Sequence, residues 1–291
     1  MLLLTGWRGF IGARVVRRLE ADGVPFRRLE GDVRQAASVL EQARGCDAIV
    51  HVAFRNIDRG DGFAVNPEGT AAVAQAAAAV GARVVALSTV GVYGHGRHVD
   101  ADETTPLAPD TEFSKSRAEA ERVLVASGVE HVRLRHRFVY GPGDAHVVPR
   151  LYRAVTRAPF LVDRGAARLS FVHVDDLARV IVRAAAAPLP AGEPVFHVTD
   201  GAPQSLRAVA DALVGRFGGR VPARSVPYGA VDLVARAVDA VRGSHLREQL
   251  ALVGRDQTFS NRKLLAWLPE LAFVPFADGL ASVDDLQAHR S

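Results

Sequence analysis

The chain has 291 residues, of which 48% are hydrophobic and 23% charged, a composition typical of soluble globular proteins. Although the formal net charge is +4, the basic residues are scattered and, apart from Lys115 and Lys263, all are arginine, so we expect no nucleic-acid partner. Cys46 is the only cysteine and no apolar run approaches the ~18 residues of a membrane span, so we expect a cytoplasmic protein without a disulfide, a metal site or a membrane partner.

An apolar run at the start of the chain ends in a glycine-rich segment. Residues 2–5 are followed by Gly6, Gly9 and Gly12, and then by apolar residues at helical spacing, which predicts a strand, a tight turn and a helix. The first glycine permits the turn, the second lets backbone amides approach a pyrophosphate, and the third lets helix and strand pack closely. The positive end of the helix dipole then faces the phosphates. The segment therefore predicts a dinucleotide site.

The end of the second predicted strand bears on which dinucleotide is bound. This strand covers residues 24–29, and Glu30 follows 18 residues after Gly12, near the ~20-residue spacing at which an acidic side chain meets the adenosine ribose. A carboxylate there repels a 2′-phosphate, so we expect NAD in preference to NADP. Four arginines argue for NADP, because each is able to pair with that phosphate: Arg8, Arg27, Arg28 and Arg34. Asp32 either contacts the adenine or caps the next helix.

Strands and helices continue to alternate up to residue 139. We predict helix 38–43, strand 48–53, a polar loop over 54–62, helix 66–80, strand 84–88, a loop over 100–110, helix 112–126 and strand 131–135. The strands are nearly continuous apolar runs, as in parallel sheets covered on both faces. His51 lies inside such a strand and is expected to be packed or bonded to backbone. Ser88 and Thr89 end another strand, where sheets of this kind bind ligands.

The regular alternation stops after residue 139. Farther on we predict strand 169–174, a helix to residue 183 capped by Asp175 and Asp176, strand 195–198, helix 205–217, and a mostly helical remainder with loops at 222–227 and 269–275. The pattern indicates an α/β protein with a doubly wound parallel sheet and a smaller, mainly helical C-terminal region. We assign residues 1–145 to a dinucleotide-binding domain to which 169–200 return, and residues 146–168 and 201–291 to a substrate-binding lid.

Six segments together resemble the motifs of the extended short-chain dehydrogenases/reductases, the NAD-dependent epimerase/dehydratase family. They are TGWRGFIG at 5–12, GD at 31–32, DAIVHVA at 47–53, VNPEGT at 65–70, YGPG at 140–143 and FVHVDDLA at 171–178. The resemblance implies a Rossmann domain that binds NAD or NADP, a small-molecule substrate, and a homodimer formed by helices 66–80 and 113–126. The candidate cofactor-binding residues are Thr5, Gly6, Trp7, Arg8, Gly9, Phe10, Ile11, Gly12, Glu30, Asp32, Val33, Val52, Ala53, Asn66 and Arg117.

The catalytic motif of the family is altered in this sequence. The family uses a Ser or Thr that polarises the substrate oxygen, a Tyr that shuttles the proton, and a Lys four residues later that binds the nicotinamide ribose. By this resemblance Thr89 takes the Ser/Thr place, with Ser88 before it. Phe113 stands at the Tyr position and Arg117 at the Lys position. Phenylalanine has no exchangeable proton and cannot act as a general acid or base, whereas Arg117 keeps the charge and is able to bind ribose hydroxyls.

Three side chains are candidates to replace the missing tyrosine hydroxyl: Tyr93, His136 and His95. A substrate group acting through water is a further alternative. His136 belongs to residues 135–138, Arg-His-Arg-Phe, which stand where the family usually has Arg-Pro-x-Asn. The loss of the Asn weakens the expectation of a sugar-nucleotide substrate. His136 and Arg137 also place titratable groups near the expected nicotinamide.

These residues leave more than one function open. The sequence favours an NAD(P)-dependent oxidoreductase, or an enzyme of epimerase/dehydratase type, that acts on a small hydroxyl or carbonyl substrate through an altered proton relay. One alternative is a catalytically silent NAD(P)-binding pseudoenzyme or sensor. Another is a non-redox isomerase, lyase or cyclase on the same fold.

Overall fold

A computed structural model describes residues 1–55, 62–242 and 246–284. Its first half contains, in chain order, β1 (Leu2–Thr5), α1 (Phe10–Ala21), β2 (Phe26–Arg28), α2 (Ala36–Ala43), β3 (Ala48–His51), α3 (Gly62–Val80), β4 (Arg83–Thr89), β5 (His98–Ala101), α4 (Glu112–Ala126) and β6 (His131–His136). A 3-10 turn at Val90–Tyr93 follows β4.

The second half has shorter strands and more helices. In chain order they are β7 (Phe138–Tyr140), α5 (Val147–Arg157), β8 (Leu161–Val162), β9 (Arg168–Leu169), β10 (Phe171–His173), α6 (Val174–Ala186), β11 (Val195–Val198), β12 (Gln204–Ser205), α7 (Leu206–Phe217), β13 (Ser225–Val226), α8 (Tyr228–Arg242), α9 (Leu246–Gly254), β14 (Gln257–Phe259), α10 (Arg262–Trp267) and α11 (Phe276–Gly279). Two 3-10 turns lie at Asp163–Gly165 and Leu280–Ser282.

Six of the described strands form one parallel sheet in the order β11–β6–β4–β3–β1–β2. The chain passes from β1 to β2 at one edge, returns to β3 on the other side of β1, and continues through β4 and β6 to β11. The order therefore reverses between β1 and β3, and sheets of this kind bind ligands at the carboxyl ends of the strands beside that point. The predicted doubly wound α/β fold is confirmed.

Helices cover both faces of this sheet because its strands are apolar on both sides. Leu2 and Leu4 of β1 pack in one buried cluster with residues of α1 and α6. Leu3, which points to the opposite face, packs in a second cluster with residues of α2, α3 and α4. A third cluster joins β7, β10, α5, α7 and α11 and lies in the part of the chain after residue 139.

Several predicted boundaries were wrong, mostly where short strands depend on distant partners. The predicted strand 169–174 is two strands, β9 and β10, in different sheets. The predicted loop at 100–110 overlaps the end of β5, and β14 lies in the stretch expected to be helical. These strands pair as β12–β9–β14–β5, and two- to four-residue segments carry too little alternation to reveal such pairing.

The expected helix ends also differ in places. Helix α3 begins at Gly62 rather than residue 66 and includes Pro67, while most of the predicted loop at 54–62 lies outside the described residues. The N-cap of α6 is His173, whose Nδ1 accepts from the backbone N–H of Asp175 at 3.3 Å. Asp175 and Asp176 instead occupy the first helical turn, where carboxylates interact favourably with the helix dipole.

Candidate functional site

The glycine turn after β1 brings strand, turn and helix into contact. Gly6 has φ +67°, and a Cβ at this position would lie 2.6 Å from the backbone nitrogen of Ala53. A Cβ at Gly12 would lie 2.1 Å from the carbonyl oxygen of Gly6, whereas a Cβ at Gly9 would lie 3.4 Å from the same oxygen. Gly9 is the N-cap of α1 and provides no capping side chain, so no side chain of the cap occupies the first amides of the helix. The turn therefore fits a pyrophosphate.

Thr5 forms hydrogen bonds to other protein groups beside this turn. Its Oγ1 lies 2.9 Å from Nδ1 of His51 and accepts from the backbone N–H of Ala53 at 3.1 Å. The other ring nitrogen of His51 lies 3.2 Å from Oγ1 of Thr70. Burial lowers the pKa of His51 to about 3, so the ring is neutral. His51 is thus a packed histidine, bonded to side-chain hydroxyls rather than to backbone.

A cleft of about 390 Å³ extends from the glycine turn toward the end of β2. Its lining includes Trp7, Arg8, Asp32, Val33 and Ala53. Gly31, Arg34, Phe54 and Arg55 also line it. This cleft, which we call the adenosine cleft, lies beside the end of β2, where the sequence predicts the adenosine ribose of the cofactor.

The charged residues around this cleft are paired with one another. Arg8 Nη2 donates to Glu30 Oε2 at 3.1 Å, and the Arg8 guanidinium lies 4.0 Å over the Trp7 ring. Asp32 accepts from the backbone and side chain of Arg34, and these bonds hold the pKa of Asp32 below its usual value. Asp32 is not the cap of α2, because that position is Gln35.

Two of the four arginines that argued for NADP are engaged elsewhere. Arg27 donates to the carbonyl oxygens of Gln42 and Arg44, and Arg28 pairs with Glu20 at 2.8 Å. Among the described residues, the arginines that line this cleft are Arg8, Arg34 and Arg55.

A second cleft of about 360 Å³ extends from the other side of the glycine turn. Candidate residues from the sequence that line it are Gly6, Gly9, Phe10, Ile11, Gly12, Val52, Thr89, Phe113, Arg117 and His136. Thr89 and His136 are register partners in the neighbouring parallel strands β4 and β6, so their side chains emerge side by side on one face. Thr89 Oγ1 accepts from the backbone N–H of Gly91 at 3.1 Å, which leaves the hydroxyl proton available to a ligand.

Arg117 is a buried cation at the wall of this cleft. It is 7% exposed, and its guanidinium lies 3.9 Å over the Phe54 ring and 5.2 Å from the Phe113 ring centroid. Within the described part of the chain, its Nε and Nη1 have no hydrogen-bond partner. Burial lowers the pKa of Arg117 to about 9, so the group stays protonated at neutral pH. Unpaired buried donors are costly, and ribose hydroxyls would satisfy them.

His136 is neutral, and among the described residues only its Nδ1 has a hydrogen-bond partner. Its Nδ1 lies 2.9 Å from the carbonyl oxygen of Arg137, so Nδ1 carries the proton and Nε2 carries a lone pair. Burial, together with the charges of Arg117 and Arg137, lowers the pKa of His136 to about 4. At neutral pH this side chain is therefore a base.

Three other catalytic candidates are bonded outside the cleft. The Tyr93 hydroxyl lies 2.7 Å from Nε2 of His197 and accepts from Arg135 at 2.6 Å, and burial raises its pKa to about 12. The Ser88 hydroxyl donates to the buried carboxylate of Glu121. His95 Nδ1 pairs with Asp110 at 2.9 Å. Their catalytic roles stay predictions.

Some expected cofactor residues support the site from outside, and some lining residues were not expected. Asn66 bonds Ser116 and the backbone of Arg55, thereby joining α3, α4 and the loop after β3. Glu30 is not among the described lining residues of the adenosine cleft, but it pairs with Arg8, which lines it.

Phe54, Asp144 and His146 line the second cleft without having been predicted. Phe54 directly follows the predicted residue Ala53, whereas the other two come from the distant segment before α5. Among the described residues, no cluster has the composition of a metal site and no helix is long and apolar enough to cross a bilayer.

Comparisons with known proteins identify a family, two relatives by sequence and a solved structure with a similar fold. The model of the NAD dependent epimerase/dehydratase family matches residues 2–197. The 4-hydroxy-2-methyl-3-oxo-4-farnesyl-3,4-dihydroquinoline-1-oxide ketoreductase of Stigmatella aurantiaca is 28% identical over 95% of this chain and 93% of its own. The 2-alkyl-3-oxoalkanoate reductase of Stenotrophomonas maltophilia is 30% identical over 75% of this chain and 76% of its own.

A solved structure shares the fold at lower identity. The Bordetella bronchiseptica enzyme WbmH, solved in complex with NAD+, superposes with a TM-score of 0.75 at 20% identity and covers 97% of this chain and 96% of its own. The family match, the parallel sheet and the glycine turn lead to one assignment. The chain belongs to the NAD-dependent epimerase/dehydratase family, the extended short-chain dehydrogenases/reductases.

Proposed function

We propose that this enzyme interconverts a hydroxyl and a carbonyl group on a small molecule, and that His136 moves the proton that the family tyrosine would move. The observation that carries the proposal is the side-by-side placement of Thr89 and His136 in the cleft where Phe113 has replaced the tyrosine. Among the described lining residues of that cleft, none is a tyrosine. The names of two relatives, a ketoreductase and an oxoalkanoate reductase, support carbonyl chemistry.

The residues divide the work between holding the cofactor and handling the substrate oxygen. The glycine turn would hold the pyrophosphate, and Arg117 would bind the nicotinamide ribose. When bound, the nicotinamide supplies or accepts the hydride. Thr89 would donate its free hydroxyl proton in a hydrogen bond that orients the substrate oxygen. In alcohol oxidation His136 Nε2 would accept the hydroxyl proton. Carbonyl reduction would use the protonated ring as the donor, a form that is minor at neutral pH and increases as the pH falls toward 4.

The proposal is tested by assaying the purified protein with NADH or NADPH against ketones, and with the oxidised cofactors against the matching alcohols. We expect turnover by the wild type, and we expect the Phe113→Tyr/Arg117→Lys variant to lose at least about tenfold in rate. The reason is that a lysine ammonium does not reproduce the contact of the Arg117 guanidinium with the Phe54 ring at 3.9 Å. The absorbance of reduced nicotinamide reports the rate.

Lys115→Arg is the matched control, because Lys115 is on the same helix and pairs with Glu112 at the surface. A wild type without turnover, combined with activity gained by the double variant, would identify a silent cofactor-binding protein and contradict the proposal.

We further propose that NAD is preferred to NADP. Glu30 repels a 2′-phosphate and also occupies Arg8, an arginine able to bind that phosphate. We expect the wild type to bind NADH more tightly than NADPH, and Glu30→Gln to shift the ratio of the two Kd values roughly tenfold toward NADPH. Cofactor fluorescence measures both affinities. Glu20→Gln, which removes an acid paired with Arg28 instead, should leave the ratio unchanged; an equal ratio in wild type and Glu30→Gln would contradict the assignment.

Four earlier expectations stay predictions: the homodimer through α3 and α4, the cytoplasmic location, the domain division at residues 145–146, and the lid role of residues 146–168 and 201–291.

A further inference from the structure

Arg137 lines the second cleft but takes no part in the proposed proton relay. It lies between β6 and β7, with its guanidinium 4.2 Å over the Phe138 ring. Its Nε and Nη2 are buried and have no hydrogen-bond partner among the described residues. Its Nη1 does not belong to this group of buried, unpartnered atoms. Burial lowers the pKa of Arg137 to about 10, so the side chain is a cation at neutral pH.

The charges around Arg137 do not balance within the cleft. Arg117 is a second cation in the same wall, and His136 is neutral. Asp144 is the acid among the described lining residues. Its Oδ1 accepts from the backbone N–H groups of His146 and Val147 at 2.7 and 2.9 Å, and its Oδ2 accepts from that of Val148 at 2.8 Å. Both carboxylate oxygens are therefore committed to the start of α5.

The remaining surface of the cleft is largely apolar. It is formed by Phe10, Ile11, Phe113, Phe138, Val139 and Val147. A neutral ligand in this cleft would leave the guanidinium of Arg137 desolvated and unpaired, which is costly. A carboxylate or a phosphate would neutralise it, and the Nε–Nη2 edge has the spacing to bind either group bidentately once the guanidinium turns toward the cleft.

We propose that the substrate carries a carboxylate or a phosphate that pairs with Arg137, on the same small molecule whose hydroxyl or carbonyl reacts at Thr89 and His136. This inference rests on the proposed function and names the substrate class. Because His136 and Arg137 line the same cleft, one small molecule is able to place its reacting oxygen at the first and its charged group at the second. The apolar walls accept the rest of the molecule.

The test compares charged probes with neutral partners that have the same reacting group. Benzoylacetate and ethyl benzoylacetate form the carboxylate pair, and dihydroxyacetone phosphate and dihydroxyacetone form the phosphate pair. Binding to the enzyme loaded with oxidised cofactor is measured by calorimetry, and turnover is measured separately. We expect at least one charged probe to bind about tenfold or more tightly than its neutral partner. Which pair shows the preference decides between carboxylate and phosphate.

Arg137→Gln should weaken binding of the preferred charged probe roughly 10- to 100-fold and leave binding of its neutral partner nearly unchanged. Arg137→Lys, which keeps the charge, should retain part of the preference. Arg97→Gln is the matched control, because Arg97 pairs at the surface with Asp256. If charged and neutral probes bind alike, or if charged probes fail to bind, the inference is overturned. Turnover of neutral ketones in the same experiment would still uphold the proposed function. Arg137-dependent binding without any turnover would uphold the inference and overturn that function.

Discussion

Replacing His136 by asparagine is expected to lower nicotinamide-dependent turnover roughly 10²–10⁴-fold, the usual effect of losing a general acid or base. The asparagine amide retains a donor for the carbonyl oxygen of Arg137, which Nδ1 of His136 contacts at 2.9 Å, but it cannot accept a proton at neutral pH. The loss should therefore fall on kcat, with the Kd of NADH nearly unchanged. Steady-state rates and cofactor fluorescence measure the two quantities.

His131→Asn is the matched control, because His131 lies on the same strand and its Nδ1 also contacts a backbone carbonyl at 2.9 Å. It should keep wild-type turnover. If His136→Asn turned over substrate at the wild-type rate, the proton would move by another route and the proposed relay would be wrong.

The same relay fixes the pH dependence of the wild type. The pKa of His136 is lowered to about 4, so the neutral base is present at higher pH and is lost as the pH falls through that value. Alcohol oxidation should therefore be level across neutral pH and decline toward pH 4, rather than breaking near the ordinary histidine value of about 6.5. Far-UV circular dichroism at each pH separates this decline from unfolding.

The sheet was predictable because its signals are local. Each of its central strands is a short apolar run with turn residues at its ends. The spacing of Gly6, Gly9 and Gly12 also indicates a tight turn between a strand and a helix. The pairing of β5 with β14 was not predictable, since His98–Ala101 and Gln257–Phe259 are more than 150 residues apart and neither has a pattern of its own. Likewise, nothing in the sequence distinguishes the capping role of His173 from that of the two aspartates after it.

The candidate site was predictable in position but less so in the direction of its side chains. Thr89 and Ser88 are consecutive in β4, so their side chains point to opposite faces; Thr89 lines the cleft and Ser88 bonds Glu121. This alternation could have separated them in advance. Tyr93 is different, because its contact with Arg135 and His197 depends on strands that join only in the folded chain.

Replacing Gly12 by alanine is expected to abolish measurable binding of NAD(H), a loss of at least about 100-fold in affinity, and to lower the free energy of unfolding by roughly 1–3 kcal/mol through overpacking. A Cβ at Gly12 would lie 2.1 Å from the carbonyl oxygen of Gly6 and 2.8 Å from the Cα of Trp7. Both are backbone atoms of the cofactor turn, so relief requires the turn to open and its amides to leave the pyrophosphate. Thermal unfolding and cofactor fluorescence measure the two effects.

Substitutions at two other glycines separate the loss of stability through overpacking from the loss of cofactor binding. Gly9 has φ −75° and no backbone atom closer than 3.4 Å to an added Cβ, so Gly9→Ala should weaken cofactor binding while leaving the Tm nearly unchanged. Gly215→Ala, in α7 with open space around it, should keep wild-type affinity and raise stability by roughly 0.5–1 kcal/mol. Wild-type affinity in Gly12→Ala would mean that the cofactor does not depend on this turn, and the placement of the pyrophosphate against α1 would then be wrong.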